Sequence, residues 1–292
     1  MADWYVKGNT ATLSQTFYDE TTGLAASATG TPTVTITGSD GVTTYTPTAV
    51  VISGAPVYTT TFVPTVLDSG IVVKWTGVVN GLTTVVTKYV DVVGGWPFTI
   101  ADLRAFKPEF TNTTRYPYAL LLQSRVQAVK WMDKLLGTGI TPRAATYTFQ
   151  GRGLPYGYTA RTAYDGTAIS LPHWKVTAIR SITVDGATVL PSSVVLDSDM
   201  GIVRNLYTSP SSIVTITYEY GFTTIPDPGF QPLLLLATEL TLPNSLSPRV
   251  TGVTNDIGFM RIQTPTAAGG TGIPDVDAFV GLYGRRAALG IA

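Results

Sequence analysis

Residues 214–240 read VTITYEYGFTTIPDPGFQPLLLLATEL. From Val214 to Tyr220 apolar and polar side chains alternate, which is the period of a strand with one buried face. Gly221 lets the chain leave that strand, and Pro226 and Pro228 stiffen the turn that follows. Asp227 is placed to cap a helix with Pro228 in its first turn. Leu233, Leu234, Leu236 and Leu240 then cover more of a short helix than one core stripe needs. The expectation is a helix packed on a longer helix of the same chain. Its surplus apolar surface, Leu233 and Leu236 foremost, would meet a neighbouring subunit.

The longer helix lies upstream. Tyr116 to Leu136 carries Pro117 in its first turn and ends at Gly137, a residue suited to the left-handed C-cap. Tyr118, Leu121, Leu122, Val129, Met132 and Leu136 fall on one face at helical spacing. Gln123, Gln127, Lys130 and Lys134 fall on the other. Arg125 and Asp133 sit within the apolar face. Either they snorkel at its edge or they pair across a subunit interface. Ahead of this helix, Thr99-Ile-Ala-Asp102 has the spacing of a capping box, and the helix it opens must stop near Lys107 because Pro108 follows.

Residues 1–93 have a different texture. Thr and Val dominate, and short alternating runs are predicted as strands at Ala11–Tyr18, Thr33–Thr37, Thr43–Thr48, Val57–Phe62, Ile71–Gly77 and Thr83–Val92. Asn80-Gly81 between two such runs is a hairpin signal. Strands of this length and spacing predict an all-β immunoglobulin-like sandwich with Trp75 in its core. Gly94-Gly95 marks the boundary. An α+β domain is expected over residues 96–242, where Asp185-Gly186 signals a second hairpin and GRGLPYGYTARTAYDG (residues 151–166) an exposed loop. Residues 243–292 read as an extended arm ending in a helix. There Asp275 caps, Val276, Phe279, Val280 and Tyr283 form an apolar stripe, and Arg285 and Arg286 suit the C-terminal dipole. The fold class is therefore multidomain: a β-sandwich, an α+β domain, and an arm with a docking helix.

Composition narrows the chemistry. The 292 residues have no net charge, and only 13% are charged, against about 25% in an average domain. Residues 1–95 hold three Lys and six acids, so the rest of the chain is only mildly basic. No global field draws the chain to nucleic acid or a membrane. There is no cysteine, which removes disulfides, thiolate metal sites and a cysteine nucleophile. The start, MADWYVKGNT, lacks the pattern of a signal peptide, and no apolar run approaches the ~20 residues of a membrane span. His173, the single histidine, stands in LPHWKV with no second histidine to build a common zinc site, so a structural role is expected. Asp197 and Asp199 read as a solvated turn, not half a calcium loop. No phosphate-cradling P-loop is present. Arg143, Arg152, Arg161 and Arg180 with Tyr156, Tyr158 and Tyr164 form a basic-aromatic group. It suits contact with a neighbouring subunit or with nucleic acid in a lumen.

From Phe98 onward the ordered set FTIADLRAFKPEF, KLLGTGITPR, LPHWKVTAIRSITVDG, GIVRNL, VTITYEYGFTTIPDPGFQPLLLLA and TGIPDVDAFVGLY resembles tailed-phage head-to-tail connector (adaptor) proteins. The resemblance spans residues 98–285 and leaves the N-terminal sandwich as an addition. It implies a structural virion protein and not an enzyme, with no cofactor and no metal. It further implies a homo-oligomeric ring, a dodecamer, bound below the portal protein. Such a ring extends the DNA channel and joins a stopper or tail-completion protein. It would sit in the virion neck after assembly in the host cytoplasm, away from any membrane. On that pattern Val276, Phe279, Val280, Tyr283, Arg285 and Arg286 would dock on the portal. Arg152, Tyr156, Tyr158 and Arg161 would face the lumen or a neighbour, and DNA would pass beside them. The alternative is a secreted or virion-surface binding module that recognises a glycan through Trp4, Tyr5, Tyr45 and Tyr58 of the sandwich.

Overall fold

A computed structural model describes residues 3–52, 56–150, 168–206, 208, 211–242, 252–255, 258–261 and 271–284. The fold is a mixed one in which sheet predominates. Its first eight strands are β1 (Asp3–Val6), β2 (Ala11–Thr16), β3 (Thr33–Thr37), β4 (Thr44–Tyr45), β5 (Val51–Ile52), β6 (Val57–Phe62), β7 (Asp68–Val79) and β8 (Leu82–Val93). One sheet has the order β1-β8-β7-β3-β4 and the other β2-β6-β5. Ala11, Leu13, Tyr58 and Phe62 of the second sheet meet Ile36, Val73, Trp75 and Val90 of the first in one buried core. Trp75 is fully buried there, as expected from the sequence. Asn80 and Gly81 adopt φ of 51° and 81°, which gives the left-handed turn that matches strand twist. The β7–β8 hairpin runs longer than the sequence pattern indicated, and β4 shorter. β1 has no counterpart in the sequence reading. It pairs in parallel with the far end of β8, Asp3 opposite Val90, so its partner lies a whole domain away in sequence.

Beyond Gly94-Gly95 come helix α1 (Ile100–Phe106) and helix α2 (Tyr118–Leu136). Thr99 and Asp102 form the reciprocal capping box, and Gly137 closes α2 at φ 70°. Pro117 sits just outside α2 at its N-cap, and Tyr118 is exposed instead of apolar-face. Strands β9 (Arg143–Gln150), β10 (Ile169–Ser170), β11 (Val176–Val184), β12 (Ala187–Val189), β13 (Val195–Asp197), β14 (Ile202–Arg204) and β15 (Ile213–Tyr220) follow. They make a four-stranded sheet, β12-β11-β15-β9, and a three-stranded one, β10-β14-β13. Leu171, Ile182, Val203, Val214, Ile216 and Tyr218 fill the core they share. Asp185-Gly186 forms the expected tight turn, with φ of 51° and 81°.

Helix α3 (Phe230–Thr241) and helix α4 (Pro274–Tyr283) complete the helical layer, and the strands β16 (Gly252–Asn255) and β17 (Gly258–Arg261) pair as a hairpin within the stretch expected to be an extended arm. Gly221 holds φ at 111°, and a Cβ there would lie 2.5 Å from the Thr141 carbonyl oxygen, so glycine is required where β15 ends. Asp227 does not cap α3. The helix begins later, with Gly229 at the N-cap and no side-chain cap. A Cβ on Gly229 would stand 2.7 Å from the Phe279 ring, so the chain closes against α4 at that point. Asp275 does not cap α4 either. Asp277 instead accepts hydrogen bonds from the Thr271 N–H (2.7 Å), the Thr271 hydroxyl (2.9 Å) and the Gly272 N–H (3.3 Å). It thereby ties the preceding turn to the helix.

α3 packs beside α2, as the leucine run indicated, and Leu233, Leu234 and Leu236 are buried there, not spare. Leu103, Leu121, Val129, Met132, Leu136, Leu233, Leu234, Leu236, Val276 and Phe279 share one core built by α1, α2, α3 and α4 of the same chain. Burying Val276 and Phe279 is worth roughly 2 kcal/mol each, so α4 belongs to the fold's own interior.

Candidate functional site

The sandwich and the helical layer meet around Trp4. Strand β1 sets Trp4 opposite Asp91 near the end of β8, and the indole Nε1–H donates to Asp91 Oδ2 at 2.9 Å. Asp91 also accepts from the Gly70 N–H at 2.9 Å, which fixes the acceptor. The Trp4 ring stacks on Trp96 with centroids 5.7 Å apart. The Arg143 guanidinium lies 3.7 Å from the Trp4 centroid and Lys130 Nζ 5.1 Å from it. Arg125 lies 3.8 Å from the Trp96 centroid. Two indoles from the boundary segments are thus surrounded by three cations, two from α2 and one from β9. Such contacts gain strength as they lose water.

Arg143 also donates to Asp133 Oδ2 at 2.8 Å, and Asp133 Oδ1 accepts from the Ile140 N–H at 2.7 Å. Burial pushes the Asp133 carboxyl above its usual range, while Arg143 and the Ile140 N–H pull against that shift. Arg125 donates to the Phe98 carbonyl at 3.2 Å, and burial pushes its guanidinium down to about 10. Arg125 and Asp133 therefore do not pair with each other. Each is engaged by groups of its own chain.

Asp133 also lines an open cavity of about 270 Å³ together with Lys134, Gly137, Thr138, Pro172, His173 and Tyr220. His173 stacks on Tyr220 at 3.8 Å between centroids, and its Nδ1 lies 2.7 Å from the Tyr218 hydroxyl. Burial raises both tyrosines, Tyr220 to about 12 and Tyr218 further. Near neutral pH both phenols stay protonated, Asp133 is tied to Arg143, and His173 is held by two tyrosines. These are the contacts of a structural seam. Among the described residues no group of three or more His, Asp or Glu is arranged to hold a metal ion, and no helix is long and apolar enough to cross a membrane.

A second tie joins the domains further out. Arg180 on β11 donates through Nη1 to the Leu67 carbonyl of the sandwich and through Nε to Glu219 Oε1 at 2.8 Å. The Gly94 N–H adds a backbone bond to the Pro142 carbonyl at 2.9 Å.

The other residues singled out from sequence fall as follows. Leu233 and Leu236 are buried in their own subunit's core and are not available to a partner. Val276 and Phe279 are likewise internal, because α4 folds back on α2 and α3. Val280 and Tyr283 are half-buried at the edge of that core, and the Tyr283 hydroxyl donates to the Asp227 carbonyl at 3.0 Å. Arg285, Arg286, Arg152, Tyr156, Tyr158 and Arg161 lie outside the described residues. Asp197 accepts from the Met200 N–H and Asp199 pairs with Lys175, as a solvated turn would. Of the sandwich aromatics, Trp4 is in the junction, Tyr5 packs edge-on against Phe62, and Tyr45 and Tyr58 are buried. The sequence reading missed the junction itself. Its one legible sign was a tryptophan near the start of each of the two domains, Trp4 and Trp96.

No family model matches this sequence, and no curated protein matches it.

Proposed function

We propose that the chain is a structural adaptor of a tailed-phage neck, a subunit of a closed ring below the portal that extends the DNA channel and receives the tail or a stopper protein. The observation that carries this reading is the order of elements after Gly95. A capped short helix, a long helix, a strand-rich insertion, a proline turn and a leucine-rich helix are followed, after a further segment, by an amphipathic helix that returns to the same core. That order is the one on which the resemblance to head-to-tail connectors rests. The N-terminal unit fits an immunoglobulin-like sandwich without cysteines. Its three ties to the α+β unit support a fixed projection from the ring.

His173, the one residue of the seam weighed for chemistry, is held by Tyr218 and Tyr220. The four aromatics named for the glycan reading, Trp4, Tyr5, Tyr45 and Tyr58, point inward or into the junction, which favours the adaptor reading over it.

The test is assembly. The purified chain and the portal protein of the same virion, mixed and sedimented, are expected to travel together, with rings visible by electron microscopy. A chain that stays monomeric at every concentration and never sediments with the portal overturns the proposal.

A further inference from the structure

With Arg125, Asp133, Leu233 and Leu236 used inside the fold, an interface must come from elsewhere. Gln123, Gln127, Lys130, Trp131 and Lys134 recur at the spacing of one helical stripe on α2. Trp131 is 52% exposed, on the side of α2 turned away from Val129 and Met132. An indole half in water on a polar stripe leaves apolar surface for a partner to cover. Lys130 lies over Trp4 of its own chain, Lys134 is exposed, and the one acid of α2, Asp133, is turned to Arg143 and the Ile140 N–H. The stripe is therefore aromatic and basic.

The far side of the same helical layer is its complement. Neither α3 nor α4 contains a Lys or Arg. Together they expose Glu239 and Asp275, and Leu282, 67% exposed, falls on the Asp275 face of α4. α2 presents its core face to α3 and α4, so the two exposed surfaces lie on opposite sides of one core.

Resting on the adaptor reading, we propose that these surfaces meet between copies. The Trp131–Lys134 stripe of one subunit docks on the acidic, apolar edge of α3 and α4 of the next. The occupant is a second copy, chosen by charge complementarity. A two-fold pairing of the basic stripe with itself would set lysines against lysines. A head-to-tail contact sets them against Glu239 and Asp275 and repeats around a ring. Trp131 is the anchor, since a Trp at the centre of a contact carries a large share of its energy.

Sedimentation velocity on the full chain, alone and with portal, tests this. Trp131→Ala is expected to weaken assembly about tenfold or more with an unchanged melting temperature. Lys134→Glu and Glu239→Lys should each weaken it, and the double reversal should restore it. About 0.5 M salt should loosen the parent assembly. Assembly of Trp131→Ala at the parent's level, or a double reversal no better than either single one, overturns the docking surfaces and leaves the adaptor reading standing. A parent chain that never assembles overturns both.

Discussion

Removing the Trp4 side chain should unfasten the two domains. In Trp4→Ala the Arg143 guanidinium loses the ring 3.7 Å away and Trp96 loses its stacking partner. Asp91 keeps only the Gly70 N–H. A partly desolvated cation–π contact is worth about 1–2 kcal/mol and an aromatic pair about 1 kcal/mol. A hydrogen bond to a carboxylate adds about 1.5 kcal/mol. The loss comes to roughly 4 kcal/mol, a large fraction of a typical domain's 5–15 kcal/mol. Trp4→Phe keeps the ring and loses the N–H, so it should cost about 1.5 kcal/mol. Urea unfolding followed by tryptophan fluorescence and by far-ultraviolet circular dichroism reads both. The parent should unfold in one transition, and Trp4→Ala in two, the sandwich separating from the helical layer. A single unshifted transition, with a loss under about 1 kcal/mol, would refute the claim that this cluster couples the domains.

Arg125→Ala should lower the stability of the monomer by about 2–3 kcal/mol, read as a drop in melting temperature under dilute conditions. An unchanged monomer with lost assembly would move Arg125 back to a subunit interface. Acid should destabilise the chain in a defined direction. Asp19 is held below 3.8 mainly by the Thr21 N–H, Asp40 mainly by the Thr43 hydroxyl, and Asp102 mainly by the Thr99 N–H. Their folded pKa values lie below the unfolded ones, so the unfolded chain binds more protons. The stability they add is present above the unfolded value and lost as pH falls. Melting temperature should therefore drop between about pH 5 and about pH 3, and less so in Asp40→Asn. Asp133, raised by burial, contributes in the opposite sense, so the check is the difference between parent and Asp40→Asn, and identical profiles would contradict the assignment.

Features set by neighbours in the chain were legible. Asn80-Gly81 and Asp185-Gly186 demand positive φ whatever surrounds them, Thr99 and Asp102 satisfy each other within one turn, and Gly137 ends a helix by its own freedom. Features set by distant partners were not. β1 exists because β8 offers it an edge more than eighty residues on. Asp133 looked like an interface residue because Arg143, its partner, belongs to a strand whose packing sequence does not reveal. The leucines of α3 looked surplus because α4, which covers them, arrives from beyond residue 270. Asp227 and Asp275 had the right spacing for caps, but Phe279 against Gly229 and Asp277 against Thr271 decided where those helices begin.

The sandwich is fastened at Trp4, at Gly94 and at Leu67, three places far apart in sequence. A body held at one place swivels; one held at several carries load without bending. In a closed ring every copy would then lean at the same angle, and the sandwiches would stand as a collar of fixed pitch. A push on any one of them would be delivered to the helical layer beneath.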